Sequence, residues 1–591
     1  MSTFLEKHKI YIVGFLLLSL FLFQLLSSIQ ESQTTDEGVH LAAGYSYLMK
    51  KDFRMNTEHP PLIKELSALP LALLGNKVSS PFEFPSWSNH DEWRFAHDFI
   101  YSNTLPADTI ILLGRIPVML LSILLGLYVF RWTNELFGLK SALLGLLLYC
   151  FSPHIIAHGH YITTDLGVTA FYFITLYYLY AYFKTGLVRH VVFSGIFLGL
   201  AEASKFNAII LLPIIILLLI GAKYISRYFN IPSKIKVIPA TLILFGLCFV
   251  IVFCTYFGSF DRPANDFNVA KLYSQMNDIL KNNDYTGVHP LAKKVISFAD
   301  PHTVSGKYLL TTTQTVILPA YPYINGFIKL YLHNYTGHTS YLFGKYSDFG
   351  WWYYFPVAYL SKTPVTELAL LLFSVLVLIL LSRKKEFLMN NYLWLITAIF
   401  PPALYFAWSM TGHINLGVRH VLIIEPFVIL LITFLFSRVL ATKKVYLRLI
   451  IISLLVFQLY SVIKIFPNYI AYFNEFAGGP VNGYKILVDS NLDWGQDAKK
   501  LKKYMVENNI DHVCISYFGQ ASLEFYGIDY RYLPDNANIR NAPDLECVVA
   551  ISMTSLYSRA REYGWLLKYQ PTARIGYSIN IYDFRQTQVE F

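Results

Sequence analysis

Apolar residues in this chain come in long unbroken runs and not in one-faced alternation. Runs near the ~20 residues needed to cross ~30 Å of hydrocarbon lie at Tyr11 to Ile29, Thr109 to Phe130, Ser141 to Ile156, Thr163 to Phe183, Val188 to Ser204, Asn207 to Ala222, Val237 to Gly258, Val365 to Ser382, Tyr392 to Met410, Val421 to Ser437 and Tyr446 to Phe466. The pattern predicts a polytopic α-helical membrane protein with about eleven transmembrane helices. Lys7 and Lys9 ahead of the first run suit a signal peptide, but no clear small-residue cleavage site precedes Asp36, so the run is read as an anchor.

Between the runs the pattern changes. In residues 30–108, Glu37, His40, Leu41, Gly44, Tyr45 and Leu48 recur at helical spacing, as do Leu62, Leu66 and Leu69 after Pro60-Pro61. Two amphipathic helices lying on the bilayer are expected. Residues 259–363 form a second long loop with little periodicity and many aromatics, read as a cover over a site. Its Trp351-Trp352-Tyr353-Tyr354-Phe355 cluster suits an interface belt more than a sugar platform. After Phe466 a strand, an Asp-rich loop, a Lys-rich helix and further strands at Val513 to Phe518, Cys547 to Ser552 and Tyr577 to Phe584 predict a small α/β domain over 467–591 beside a membrane domain over 1–466. The Asp489 to Asp497 stretch reads as a capped turn, or less favourably as a ligand loop.

Composition agrees with this class. The 591 residues are 55% hydrophobic and only 15% charged, which excludes an ordinary soluble domain. The formal net charge of +10 calls for no nucleic acid. Placing the N-terminus in the cytoplasm puts Arg131, Lys140, Lys184, Arg189, Lys223, Arg227, Lys234, Lys236, Arg383 to Lys385, Arg438, Lys443, Lys444 and Arg448 in inside loops, as the positive-inside rule requires. The short outside loops then carry only Lys205 and Arg419. Cys514 and Cys547 fall in the outside region, where a disulfide is permitted. No internal repeat, phosphate loop, dinucleotide fingerprint or nucleophile elbow is present.

Clustered ionisable groups beside membrane spans are costly and mark a site. The outer face collects Asp36, Glu37, Glu58, His59, Lys64, Asp165, Lys205, His413 and Arg419. Asp165 can equally cap the helix that follows it. His154, His158 and His160 could bind a divalent metal, though their spacing matches no zinc signature. Opposed acids and cations suit a transfer in which a carboxylate deprotonates a hydroxyl while lysine and arginine stabilise a departing phosphate. A transporter or lipid flippase is the rival reading, and it calls for polar groups at mid-span. A non-catalytic sensor would make the membrane acids dispensable.

The Asp36-Glu37 pair, the Glu58-His59-Pro60-Pro61-Leu62 run, the His160-Tyr161-Ile162-Thr163-Thr164-Asp165 loop and Lys205 resemble the dolichyl-phosphate-mannose protein mannosyltransferases and their bacterial relatives, the lipid A aminoarabinose transferases among them. The resemblance implies the GT-C architecture and an inverting glycosyltransferase whose donor substrate is a polyprenyl-phosphate sugar and whose acceptor is a protein, lipid or glycan hydroxyl. By it Asp36 matches the acidic position tied to catalysis, with Glu37 beside it, and Asp165 the acid of the second outer loop. Lys205, Arg419 and His413 are then expected on the donor phosphate, with Glu58, His59 and Lys64 in support. The C-terminal region does not resemble the β-trefoil insert of eukaryotic members.

Overall fold

The computed structural model describes residues 2–261, 303–304, 318–534, 547–558 and 560–585. Parts of the expected outer loop (262–302 and 305–317) and of the C-terminal region lie outside them. Among the described residues nine helices are long and apolar enough to cross a membrane, and the chain is an integral membrane protein.

The first helix, α1 (Ser2–Gln30), is followed by α2 (Glu37–Lys50) and α3 (Leu62–Leu73), then by the 31-residue α4 (Ala107–Phe137) and α5 (Leu139–Cys150). Next come α6 (Thr164–Thr185), α7 (Val188–Glu202) and α8 (Val237–Thr255). Nine of the eleven expected runs meet the length criterion. The two beginning near Ser141 and Val188 form α5 and α7, of 12 and 15 residues. At 1.5 Å per residue these reach about 18 and 22 Å, short of the hydrocarbon thickness. In α5 the helix stops at Cys150, and a six-residue helix, Pro153–His158, follows with the proline at its first position.

The bundle is built around α6. Every residue in its span window is buried, whereas α8 and the span Val365–Ser382 are each about one-fifth buried and offer most of their surface to lipid. Small residues allow the close contacts. An added Cβ at Gly145 of α5 would come within 2.2 Å of Thr433 Oγ1 on α9 (Glu425–Ala441), and Gly195 and Gly199 of α7 lie against α8. Such approach is how helices gain packing where hydrophobicity itself drives nothing.

Both expected loop helices form, but α2 does not lie on the surface. Glu37 to Tyr47 are all buried, because α3 and the short helix Glu92–Tyr101 cover it. Gly44 is the contact point with α3, where a Cβ would meet the Lys64 carbonyl. The expected strand at Lys485 to Val488 is absent. Short 3-10 turns stand there instead, and Leu487 and Val488 are buried in the main core, so the run serves packing and not a ladder.

Beyond α10 (Ala498–Glu507), five strands form one mixed sheet. They are β1 (His512–Ser516), β2 (Asp529–Tyr532), β3 (Val548–Ser552), β4 (Ala573–Ile575) and β5 (Ile579–Asp583), in the order β2-β1-β3-β5-β4. β1 runs parallel to β2 and β3, and β5 antiparallel to β3 and β4. Leu501 and Met505 of α10 cover one face, while Leu556, Leu566 and Tyr569 cover the other. Cys514 and Cys547 are joined by a disulfide.

Gly145→Val is expected to destabilise the protein by about 1–3 kcal/mol through overpacking. Thermal unfolding in detergent will show a lower Tm than wild type.

Candidate functional site

Four charged side chains from four separate segments meet at the N-terminal end of α6. Asp165, in the first turn of α6, points its Oδ1 at Lys205 Nζ (2.5 Å) and its Oδ2 at Arg419 Nη1 (3.3 Å). The other guanidinium arm, Nη2, is 3.4 Å from Asp36 Oδ2. The result is an alternating chain, Asp36–Arg419–Asp165–Lys205, with no net charge. The Asp165 side chain is 2% exposed and that of Arg419 7%, but that of Asp36 is 25% exposed. Asp36 is the open end of the chain.

Local structure explains each position. Asp36 immediately precedes α2 and makes no side-chain cap, which leaves its carboxylate free for Arg419. Lys205 leads into the 3-10 helix Phe206–Ile210, and Arg419 lies within another, Val418–Ile424. The capping role open to Asp165 is not taken, since its carboxylate is engaged by the two cations. Burial pulls the Lys205 ammonium below its usual range, and Asp165 opposes that pull.

Arg419 is held from behind by residues far along the chain. Its Nε donates to Ser490 Oγ (3.1 Å), and its guanidinium lies over the Trp494 ring, 4.3 Å from the centroid. Gly417 permits the approach, since a Cβ there would meet Ser490 Oγ at 2.4 Å. The Asp489 to Asp497 loop is therefore more than a capped turn. Asp493 accepts from the Thr554 N–H (2.9 Å) and Asp497 from Ser578 Oγ (2.6 Å). Tyr354 and Leu416 lock Asn491 into the same wall.

Glu37 takes a different direction from its neighbour. Its carboxylate binds Arg115 in a fork (Nε–Oε1 2.8 Å, Nη2–Oε2 2.6 Å) and accepts from the N–H groups of Thr34 (2.8 Å) and Ile162 (3.0 Å). Burial would raise the Glu37 carboxyl, but the Arg115 guanidinium overrides it and holds the group below its usual range. The remaining Arg115 donors reach the Ser28 carbonyl and hydroxyl and the Ser32 carbonyl. This pair pins the segment before Asp36 to α4.

The other expected site residues have partners of their own. His59 is half-buried and edge-to-face with His40, at 5.5 Å, and loss of solvent around its ring holds the imidazole well below its usual range. Lys64 donates to the Asn56 and His59 carbonyls, and burial pushes its ammonium down to about 7. Glu58 is half-exposed, 3.7 Å from His333, whose Nε2 lies 3.2 Å from His338 Nδ1. His413 is tied through its N–H and Nδ1 to Asn334, apart from Arg419. The three histidines between α5 and α6 diverge: His160 bonds Glu31 (2.9 Å) while His154 faces Thr363. Among the described residues no three His, Cys, Asp or Glu side chains are grouped to hold a metal.

Sequence reasoning missed Arg115, Ser490 and Trp494. An arginine inside an apolar run was the available signal for Arg115, because burial demands a carboxylate partner. Nothing local marked Trp494.

Residues 110–253 match the family model of dolichyl-phosphate-mannose-protein mannosyltransferases. This stretch is mannosyltransferase-like. It holds Arg115, Asp165 and Lys205, and over it the resemblance read from the motifs is confirmed. No curated protein matches the chain. Among solved structures, ArnT from Cupriavidus metallidurans bound to undecaprenyl phosphate is 11% identical, with 97% of each chain covered and a TM-score of 0.42. The Archaeoglobus fulgidus oligosaccharyltransferase AglB with an inhibitory peptide and a dolichol-phosphate is 13% identical over 95% of this chain and 73% of that one, with a TM-score of 0.38. The S. cerevisiae Pmt1-Pmt2 complex bound to its sugar donor is 21% identical over 42% of this chain and 33% of that one, with a TM-score of 0.29.

Removing one partner of the Glu37–Arg115 pair leaves a buried charge uncompensated, at about 3–5 kcal/mol. Arg115→Met should therefore lower stability by that amount in detergent unfolding, and adding Glu37→Gln should restore part of it. The Glu58–His333 pair yields a pH test. His333 is raised and Glu58 lowered by their pairing across 3.7 Å, so the pair is lost as pH rises through the folded His333 pKa or falls through the folded Glu58 pKa. Glu58→Gln should shift the His333 midpoint downward, read by NMR of labelled histidine.

Proposed function

We propose that the chain is an inverting glycosyltransferase of GT-C architecture that moves a sugar from a polyprenyl-phosphate donor to a hydroxyl acceptor. The observation that carries the reading is the charge chain at the outer end of α6, where one accessible carboxylate, Asp36, stands beside two cations that Asp165 pairs with and only half neutralises. In this reading the membrane is the cell membrane, the N-terminus is cytoplasmic, and the site and the sheet domain face outside. A lipid-phosphate sugar suits such a place, because its tail stays in the bilayer while its head reaches the surface.

The chemistry follows from the charges. Asp36 takes the proton of the acceptor hydroxyl, and that oxygen attacks the anomeric carbon from the side opposite the phosphate. The bond from the anomeric carbon to the phosphate oxygen breaks, and the polyprenyl phosphate leaves with the electron pair. Arg419 and Lys205 take up its growing charge, in a setting where water screens little. Asp165 keeps both cations in place, and Ser490 and Trp494 fix the plane of Arg419. Glu37 positions Asp36 through the Arg115 clamp, while His59 borders the charge chain as a neutral ring. Glu58 and His413 lie toward the mouth. The acceptor is a protein, lipid or glycan hydroxyl.

One observation leans to the transporter reading: Glu367 and Glu425 are buried inside spans. Glu425 accepts from Ser152 and Tyr359, and Glu367 from Gln458. Both acids occupy the first turn of their helices, beside the second outer loop and not at mid-span, so they do not form a path across the bilayer.

Membranes containing the protein should transfer label from at least one of a panel of radiolabelled polyprenyl-phosphate sugars. Asp36→Asn should cut that transfer by about 10²–10⁴-fold, the range of a lost general base, in protein that remains folded with Asp165 still opposing Arg419. Full activity in Asp36→Asn would remove the assignment, and transport of intact donors without turnover would support the rival.

A further inference from the structure

At the far end of α1 from Asp36, a cavity of about 310 Å³ opens between three helix ends. Its walls include Leu5 and Glu6 in the first turns of α1, Gly138, Lys140 and Ser141 where α4 passes into α5, and Ser437 near the end of α9. None of these residues takes part in the site described above. On the orientation proposed above, the cavity lies at the cytoplasmic surface among the basic loops.

Two independent features point to an anion. The first is the start of α5. The earliest bond there runs from the Ala142 N–H to the Gly138 carbonyl (3.1 Å), so the N–H groups of Leu139, Lys140 and Ser141 head the helix without helical acceptors. The second is Ser141 itself. It is 3% exposed and lines the cavity, and its hydroxyl has no hydrogen-bond partner among the described residues. Its oxygen opens onto the cavity, where a ligand oxygen can supply the missing partner. The Lys140 ammonium adds the charge.

The opposite wall argues against a bare phosphate. Glu6 contributes a carboxylate, engaged only in an exposed pair with Lys9 at 3.2 Å, which costs little to exchange. Ser437 donates to the Phe434 carbonyl (2.7 Å), which leaves its oxygen lone pairs able to accept. One wall thus suits an anion and the other a cation with N–H donors. Ile10 and Tyr11, on the next turn of α1, are exposed apolar surface facing lipid, so the cavity adjoins the acyl region.

We propose that this cavity holds the headgroup of a phosphoethanolamine lipid. The phosphate sits on the α5 N-terminus, Ser141 and Lys140, and the primary ammonium turns to Glu6. The site is independent of the glycosyl-transfer reading and stands or falls without it.

Native mass spectrometry of the delipidated protein in detergent, titrated with phosphatidylethanolamine, phosphatidylcholine and phosphatidylglycerol of matched chains, tests this directly. Phosphatidylethanolamine should bind about tenfold more tightly than either of the others, the factor that one exchanged charge-assisted contact supplies. Lys140→Ala should weaken all three, and Glu6→Gln should abolish the preference for phosphatidylethanolamine while leaving phosphatidylglycerol binding unchanged. Lys140 and Glu6 lie on the surface, so both variants should keep the wild-type Tm. Equal binding of phosphatidylethanolamine and phosphatidylcholine by the wild type would overturn the proposal, as would a preference that survives Glu6→Gln. Soluble phosphoethanolamine that binds as tightly as the lipid would overturn the lipid assignment.

Discussion

Arg419 is almost entirely removed from water, and the segments that meet at the N-terminal end of α6 are arranged around meeting that cost. A guanidinium in such a place needs opposed charge and filled donor positions. Asp36 and Asp165 supply the charge, Ser490 a hydrogen bond and Trp494 a ring face. These come from three segments separated by up to several hundred residues, Ser490 and Trp494 sharing one loop. Loop 30–36, the start of α6, the 3-10 helix at Val418 and the post-span loop can be brought together only if the whole bundle is formed.

The same constraint explains why two adjacent acids behave differently. Glu37 is fully buried and forked onto Arg115, with two backbone N–H groups added. Its lone pairs are engaged, and what it gives is rigidity to the turn that ends in Asp36. Asp36 keeps one side toward solvent. A buried, saturated acid beside an accessible one separates positioning from reaction, and burial makes the separation strict, because water cannot reach Glu37 to satisfy a loose group.

The C-terminal sheet region is coupled to the site by backbone as well as by side chains. Ser32 and Thr35 donate to the carbonyls of Gln496 and Trp494 (2.9 and 3.0 Å), so the stretch before Asp36 and the loop behind Arg419 are stitched to each other. A displacement of the loop would reach both ends of the charge chain. The sheet itself is far from the charges; its part is to anchor the loop through Thr554 and Ser578.

Hydrophobic run length by itself determined the membrane class and most of the spans, because crossing hydrocarbon sets a minimum number of apolar residues whatever the fold. Local spacing also marked α2, α3 and three of the later strand segments, and the cost of charge beside a span singled out Asp36, Asp165, Lys205 and Arg419 as residues to watch. Only the tertiary structure decided that those four join in one alternating chain, that Glu37 belongs to Arg115, that His413 stands aside with Asn334, and that Trp494 backs the site. Pairing of charges across hundreds of residues leaves no periodicity to read. The short α5 and α7 were overread for a related reason: apolar composition records burial, and burial against protein looks the same in sequence as burial in lipid.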